Sequence, residues 1–179
     1  MSVNEEKKSK RGKNMYAFEK CVLASYSVIG NVVEEMDELF LKTAVKSHLS
    51  TAPCEETANK LIAMTERKKD LLVLKNLIKT AFGNLTEQPK KYILYKYFNR
   101  KDDEIEAIKN TRKYFRRQIS AIVKFSEELS KLGLSEEEFK KTYLKFAFLA
   151  DKYREFSEKH TVARALPSAC YRIKSGKLI

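Results

Sequence analysis

The chain has 179 residues, 43% of them apolar, enough to bury a real core as one domain or two small ones. Its formal net charge is +12, from 36 Lys and Arg against 24 Asp and Glu, which points to an anionic partner. Five Gly, two His and three widely spaced Cys argue against a glycine-rich phosphate loop, a disulfide framework, a zinc site or paired His/Cys catalysis.

Residues 1–13 hold five basic and two acidic side chains and read as a disordered basic tail. Lys7-Lys8-Ser9-Lys10-Arg11 could be read as a nuclear signal, but a solubilising tail fits it better. No apolar signal-peptide core or membrane-length apolar run follows, so no membrane association and a cytoplasmic location are expected.

From Asn14 a helical stripe advances by three or four residues through Met15, Phe18, Val22, Tyr26, Ile29, Val33, Met36, Phe40 and Ala44. Gly30 weakens it locally and marks a kink or a close crossing. Ser50, Thr51 and Pro53 end it in a loop. A second stripe follows from Glu55 through Ala58, Leu61, Thr65, Leu71, Leu74, Ile78, Ala81 and Leu85. Glu66-Arg67-Lys68-Lys69-Asp70 interrupts it with a solvent-facing polar run. Two long helices and a short loop predict an antiparallel hairpin over 14–84. The stripes are narrow, so the hairpin could pair with a second copy as a homodimer as well as pack within one chain.

A unit over 85–158 follows. Thr86 is placed to cap a short helix with Pro89 in its first turn and Tyr92 to Phe98 as its body. Asn99-Arg100-Lys101 turns the chain. Asp102-Asp103-Glu104 opens a second short helix, with Ile105 and Ile108 on its apolar side. Thr111 caps a third, running to about Leu132. Gly133 fits a left-handed cap closed by Leu134, and Ser135 with Glu138 has the form of a capping box. The helix it starts carries Phe139, Tyr143, Phe146, Ala150 and Tyr153. After His160 the pattern fades, and 159–179 read as a basic tail, with Leu166-Pro167 breaking any helix. No segment alternates as a strand does, so the expected fold is all-α.

The functional signal lies in the third short-unit helix. Three of nine arginines fall in Arg112-Lys113-Tyr114-Phe115-Arg116-Arg117, in a chain whose other cations are mostly Lys. The planar guanidinium fork suits phosphates and guanine edges in a way that a lysine does not. On a helical wheel Arg112, Arg116, Lys113, Lys124 and Arg117 span about 140°, and Tyr114, Phe115, Ile119, Ala121, Ile122, Phe125 and Leu129 span the opposite 160° or so. Phe115, Ile119 and Ile122 are therefore expected to hold the helix on its scaffold. The plainer reading is a solvated basic face on a core helix.

Helix, helix, tight turn and basic helix over 86–125 have the layout of a helix-turn-helix, whose last helix lies in the major groove. Leu94-Tyr95-Lys96-Tyr97-Phe98, Asp103-Glu104-Ile105 and Thr111-Arg112-Lys113-Tyr114-Phe115-Arg116-Arg117 resemble region 4 of sigma-70 factors and the phage and prophage regulators of the ArpU type. Lys96 stands where that family usually has Arg, and the turn lacks its usual Gly. The resemblance implies a transcription regulator that binds double-stranded DNA and could contact RNA polymerase. Thr111, Arg112, Lys113, Arg116 and Arg117 would touch DNA, with Lys109 and Lys124 flanking them. Residues 14–84 do not resemble the other regions of a sigma factor.

Three further readings come from the residues. The basic face could dock an acidic protein, making the chain a helical interaction module. The basic tails, 159–179 above all, together with Tyr92, Tyr95 and Tyr97 stacking on bases, could bind RNA or a single strand without regard to sequence. Asp102, Asp103, Glu104 and Glu106 could neutralise the neighbouring arginines internally; as a two-metal nuclease site they lack distant partners. No cofactor, no metal and no enzymatic activity are expected.

Overall fold

The computed structural model describes residues 16–48 and 54–165. These residues form seven helices joined by short turns, with no strand among them, so the fold is all-α. The elements are α1 (Ala17–His48), α2 (Cys54–Asn84), α3 (Glu87–Tyr97), α4 (Asp103–Ile108), α5 (Arg112–Lys131), α6 (Glu136–Tyr143) and α7 (Ala147–Ala165). The first basic tail, the 166–179 part of the second, and the loop at Ser50, Thr51 and Pro53 lie outside the described residues, as do Asn14 and Met15, whereas 159–165 are helix rather than tail.

α1 and α2 lie side by side and run in opposite directions. Asp37 pairs with Lys68, and Lys75 Nζ lies 3.3 Å from where a Cβ on Gly30 would stand. Advancing along α1 thus means retreating along α2. α1 runs through Gly30 as unbroken helix, and the group that approaches there is a flexible lysine tip rather than backbone. Phe18, Val22 and Ile29 are buried and Tyr26, Val33, Met36, Phe40 and Ala44 half-buried, so the α1 stripe faces inward along its length. On α2, Leu71, Leu74, Ile78 and Ala81 are buried, whereas Ala58 and Thr65 are exposed. From Gly30 to Asp70 no described side chain is buried. This distal part is a two-helix arm, roughly 28 Å long on the α1 side at 1.5 Å per residue.

The base of the hairpin shares one continuous core with everything after residue 84. Phe18, Cys21, Val22 and Ile29 of α1 and Leu71 to Ala81 of α2 meet Tyr92 and Ile93 of α3, Ile105 of α4 and Phe125 and Leu129 of α5. Leu134, Phe139, Phe146 and Leu149 complete the cluster. Every deeply buried side chain of the arm-bearing helices belongs to this base, so the core holds the hairpin at one end only.

The turn chemistry follows the sequence in most places. Gly133 has φ +82, with Gly133 N–H donating to Ser130 O at 3.1 Å and Leu134 N–H to Leu129 O at 3.0 Å, the Schellman pattern. Ser135 Oγ accepts from Glu138 N–H at 3.1 Å, but the Glu138 carboxylate accepts from Thr142 instead of returning to Ser135, so half of the capping box forms. Thr86 occupies the cap position of α3 without a side-chain capping bond. The expected single helix from Ser135 breaks at Leu144–Phe146 into α6 and α7. On a straight helix Leu149 would lie about 80° round from Phe139; across the break both are fully buried. α7 then continues to Ala165, beyond the point where the apolar pattern fades and directly before Leu166-Pro167.

Candidate nucleic-acid interface

α5 is set in place from both ends of the short-helix unit. Asp102 caps α4, its carboxylate accepting from Ile105 N–H at 3.1 Å. Thr111 Oγ1 donates to Ile108 O at 2.7 Å and accepts from Tyr114 N–H at 3.3 Å, ending α4 and starting α5 in one side chain. Tyr114 is buried, its ring packed against Tyr92 and Tyr95 of α3. Further along, Gln118, Ala121, Ile122, Phe125 and Leu129 are buried. Phe115 and Ile119, expected to hold the helix, are 51% and 49% exposed. The tyrosine cluster rolls α5 so that Gln118 takes the inward position, and the two apolar residues turn outward beside the arginines. Only Ile122 of the three expected anchors is in the core.

The predicted site residues divide by environment. Arg112, Lys113, Arg116 and Lys124 are exposed and form no ion pair among the described residues. Arg117 is exposed but donates to Tyr92 OH at 3.1 Å, which ties it to α3. Lys109 is engaged: it pairs with Glu106 at 3.0 Å and lies over the Tyr95 ring. The Glu106 hydrogen bond, with Tyr95 second, holds the Lys109 ammonium above its ordinary range. Thr111 is spent as a cap.

Three of the four acids in the cluster are engaged away from the arginine face, and Asp103 forms no ion pair among the described residues. Asp102 caps α4, Glu104 pairs with Lys91 at 3.9 Å, and Glu106 is held by Lys109 and the Tyr95 hydroxyl. Among the described residues no group of three His, Cys, Asp or Glu side chains is arranged to hold a metal ion. The tyrosines are not a stacking platform: Tyr92 is 4% exposed, Tyr95 and Tyr97 are half-buried against the core, and the Tyr97 hydroxyl is buried, which drives its pKa far up.

Two features escaped the sequence pattern. One is the outward turn of Phe115 and Ile119, which a helical wheel assigns to the core because they are apolar. The other is a cleft of about 500 Å³ lined by Lys90, Lys91, Arg100, Lys101, Glu87 and Asp102, against Phe82 and Leu94. Asn99, with φ +50, turns the chain so that Arg100 and Lys101 fold back toward α3, and Arg100 N–H donates to Leu94 O at 3.2 Å. The Asn-Arg-Lys turn is visible in the sequence; its return toward Lys90 and Lys91 is tertiary.

No family model matches the chain, and no curated protein or solved structure is detectably similar to it.

Proposed function

We propose that the chain binds double-stranded DNA and acts as a transcription regulator, with α5 lying in the major groove. The observation that carries this reading is the set of cations without an ion-pair partner among the described residues, Arg112, Lys113, Arg116 and Lys124, on the exposed side of one helix. A solvated surface usually mixes its charges, as α6 and α7 do with Glu136–Lys140 and Asp151–Arg154. Here Asp102, Glu104 and Glu106 are occupied elsewhere, so the cations remain available to phosphates and guanine edges. The order α3, α4, α5 and the short caps between them support a helix-turn-helix, the arrangement that the likeness to region 4 of sigma-70 factors implies. The cleft at Lys90, Lys91, Arg100 and Lys101 would add backbone phosphate contacts.

The double variant Arg112→Ala/Arg116→Ala tests this directly. Both side chains are exposed, so folding should be unaffected. Duplex affinity should fall at least about tenfold, from about 1–3 kcal/mol per lost guanine contact. If the contacts are instead to phosphate, the slope of log K against log salt should shrink by about 0.9 for each. Unchanged binding and an unchanged slope would refute the assignment of α5.

The arm between Gly30 and Asp70 favours a partner for the hairpin as well. It exposes Leu39, Leu41, Val45 and Ile62 while burying none of its described side chains fully. A second copy of the chain is the partner we favour, since two half-sites on DNA call for a dimer. RNA polymerase is the alternative that the sigma-like resemblance suggests.

A further inference from the structure

We infer that Phe115 and Ile119 read thymine methyl groups in the major groove, beside contacts made by Arg112 and Arg116. The inference rests on the DNA-binding reading of α5 and adds to it the kind of base pair recognised. Within residues 112–120 only Tyr114 and Gln118 are buried, so the first half of α5 rests on α3 along one narrow seam and leaves its outer face open. A helix with its side chains is about 10–12 Å across and matches a major groove about 12 Å wide. Around that free surface Phe115, Ile119, Arg112 and Arg116 follow one another within an arc of about 100°.

Arginine and an exposed aliphatic-aromatic pair in one strip make two demands on an occupant. It must be anionic or rich in acceptors, to match guanidinium groups that have no acid of their own. It must also offer apolar surface within the same few ångströms, because Phe115 and Ile119 are about half exposed and one helical turn apart. Beside the acceptors, donors and flat C–H positions of the base edges, one apolar group projects into the major groove, the C5 methyl of thymine. Phe115 and Ile119 against any other base edge would strip water from polar atoms and bury little apolar surface in return. Against thymine they bury a methyl group each.

The test uses a pool of random 30-base-pair duplexes enriched by binding to the full chain, then remade with deoxyuridine in place of thymidine. Uracil keeps every hydrogen-bonding group and loses only the methyl. The wild-type chain should bind the uracil duplex about fourfold more weakly for each methyl contacted. Phe115→Ala/Ile119→Ala, both at exposed positions, should bind thymine and uracil duplexes alike, with helicity by circular dichroism unchanged. Equal wild-type affinity for both duplexes, with Arg112→Ala/Arg116→Ala still impaired, would overturn the thymine reading and leave DNA binding standing. Failure of any duplex to enrich would overturn both.

Discussion

Thr111 belongs to the proposed interface by sequence and to the scaffold by geometry. Its hydroxyl closes α4 and opens α5, so its loss should act on stability before it acts on binding. Thr111→Ala is expected to cost about 1 kcal/mol in urea unfolding, and Thr111→Ser to retain most of it. Arg112→Ala, one residue on and exposed, should stay within about 0.5 kcal/mol of the parent. A Thr111→Ala variant as stable as the parent would show that the cap contributes nothing. Glu19 makes a second case. It is 8% exposed and accepts from Ser126 Oγ at 2.6 Å. Burial raises its carboxyl pKa above the ordinary value, and the Ser126 hydrogen bond only partly offsets this. An acid whose folded pKa is raised binds more protons folded than unfolded. It costs stability as pH climbs from the unfolded value through the folded one, and costs nothing below both. Glu19→Gln should therefore raise the melting temperature at pH 7, with the gain closing as pH falls to the ordinary carboxylate range near 4. A gain that persists unchanged at pH 4 would assign the effect to packing instead. Neither Glu19 nor Ser126 stands out in the sequence, because their pairing joins α1 to α5 across 107 positions.

At the scale of the element, the two long helices and the capped short ones were legible because their signals are local. Threonine, aspartate and serine at 111, 102 and 135 cap the next helix through a backbone N–H three residues on. The roll of α5 was not legible. A wheel places Phe115 inside and has no means of weighing it against Gln118; that choice is made by the Tyr92–Tyr114–Tyr95 packing, which brings two other turns of the chain together. The break at Leu144–Phe146 is similarly tertiary, since it carries no Gly or Pro. For the hairpin, the stripes predict direction and contact but not the missing burial beyond Gly30. A two-helix arm with one half-buried seam has little to hold it on its own. If a second copy covers the arm, sedimentation should give a dimer for the parent and a monomer for Leu41→Glu/Val45→Glu. These are exposed positions 64% and 62% accessible, so the monomer should remain folded. A parent that sediments as a monomer at all concentrations would remove the dimer from the account.

The whole molecule puts its deepest packing at one end of the hairpin and a bare cationic helix beside it. No helix among the described residues is long and apolar enough to cross a membrane. The 36 Lys and Arg overstate the cations open to a partner, because Lys109, Lys131, Lys140 and Lys145 each have an acidic partner. What remains on α5 is small in number and concentrated. A generic polycation and a groove-reading helix differ in how binding responds to salt and to the form of the nucleic acid. The most direct test is a titration of the full chain against the enriched duplex, a random duplex and a random single strand at 50 and 200 mM salt. Preference for the enriched duplex over both others, retained at the higher salt, is the predicted result. Equal binding to all three that vanishes at the higher salt would contradict the assignment of α5 as a DNA-reading helix.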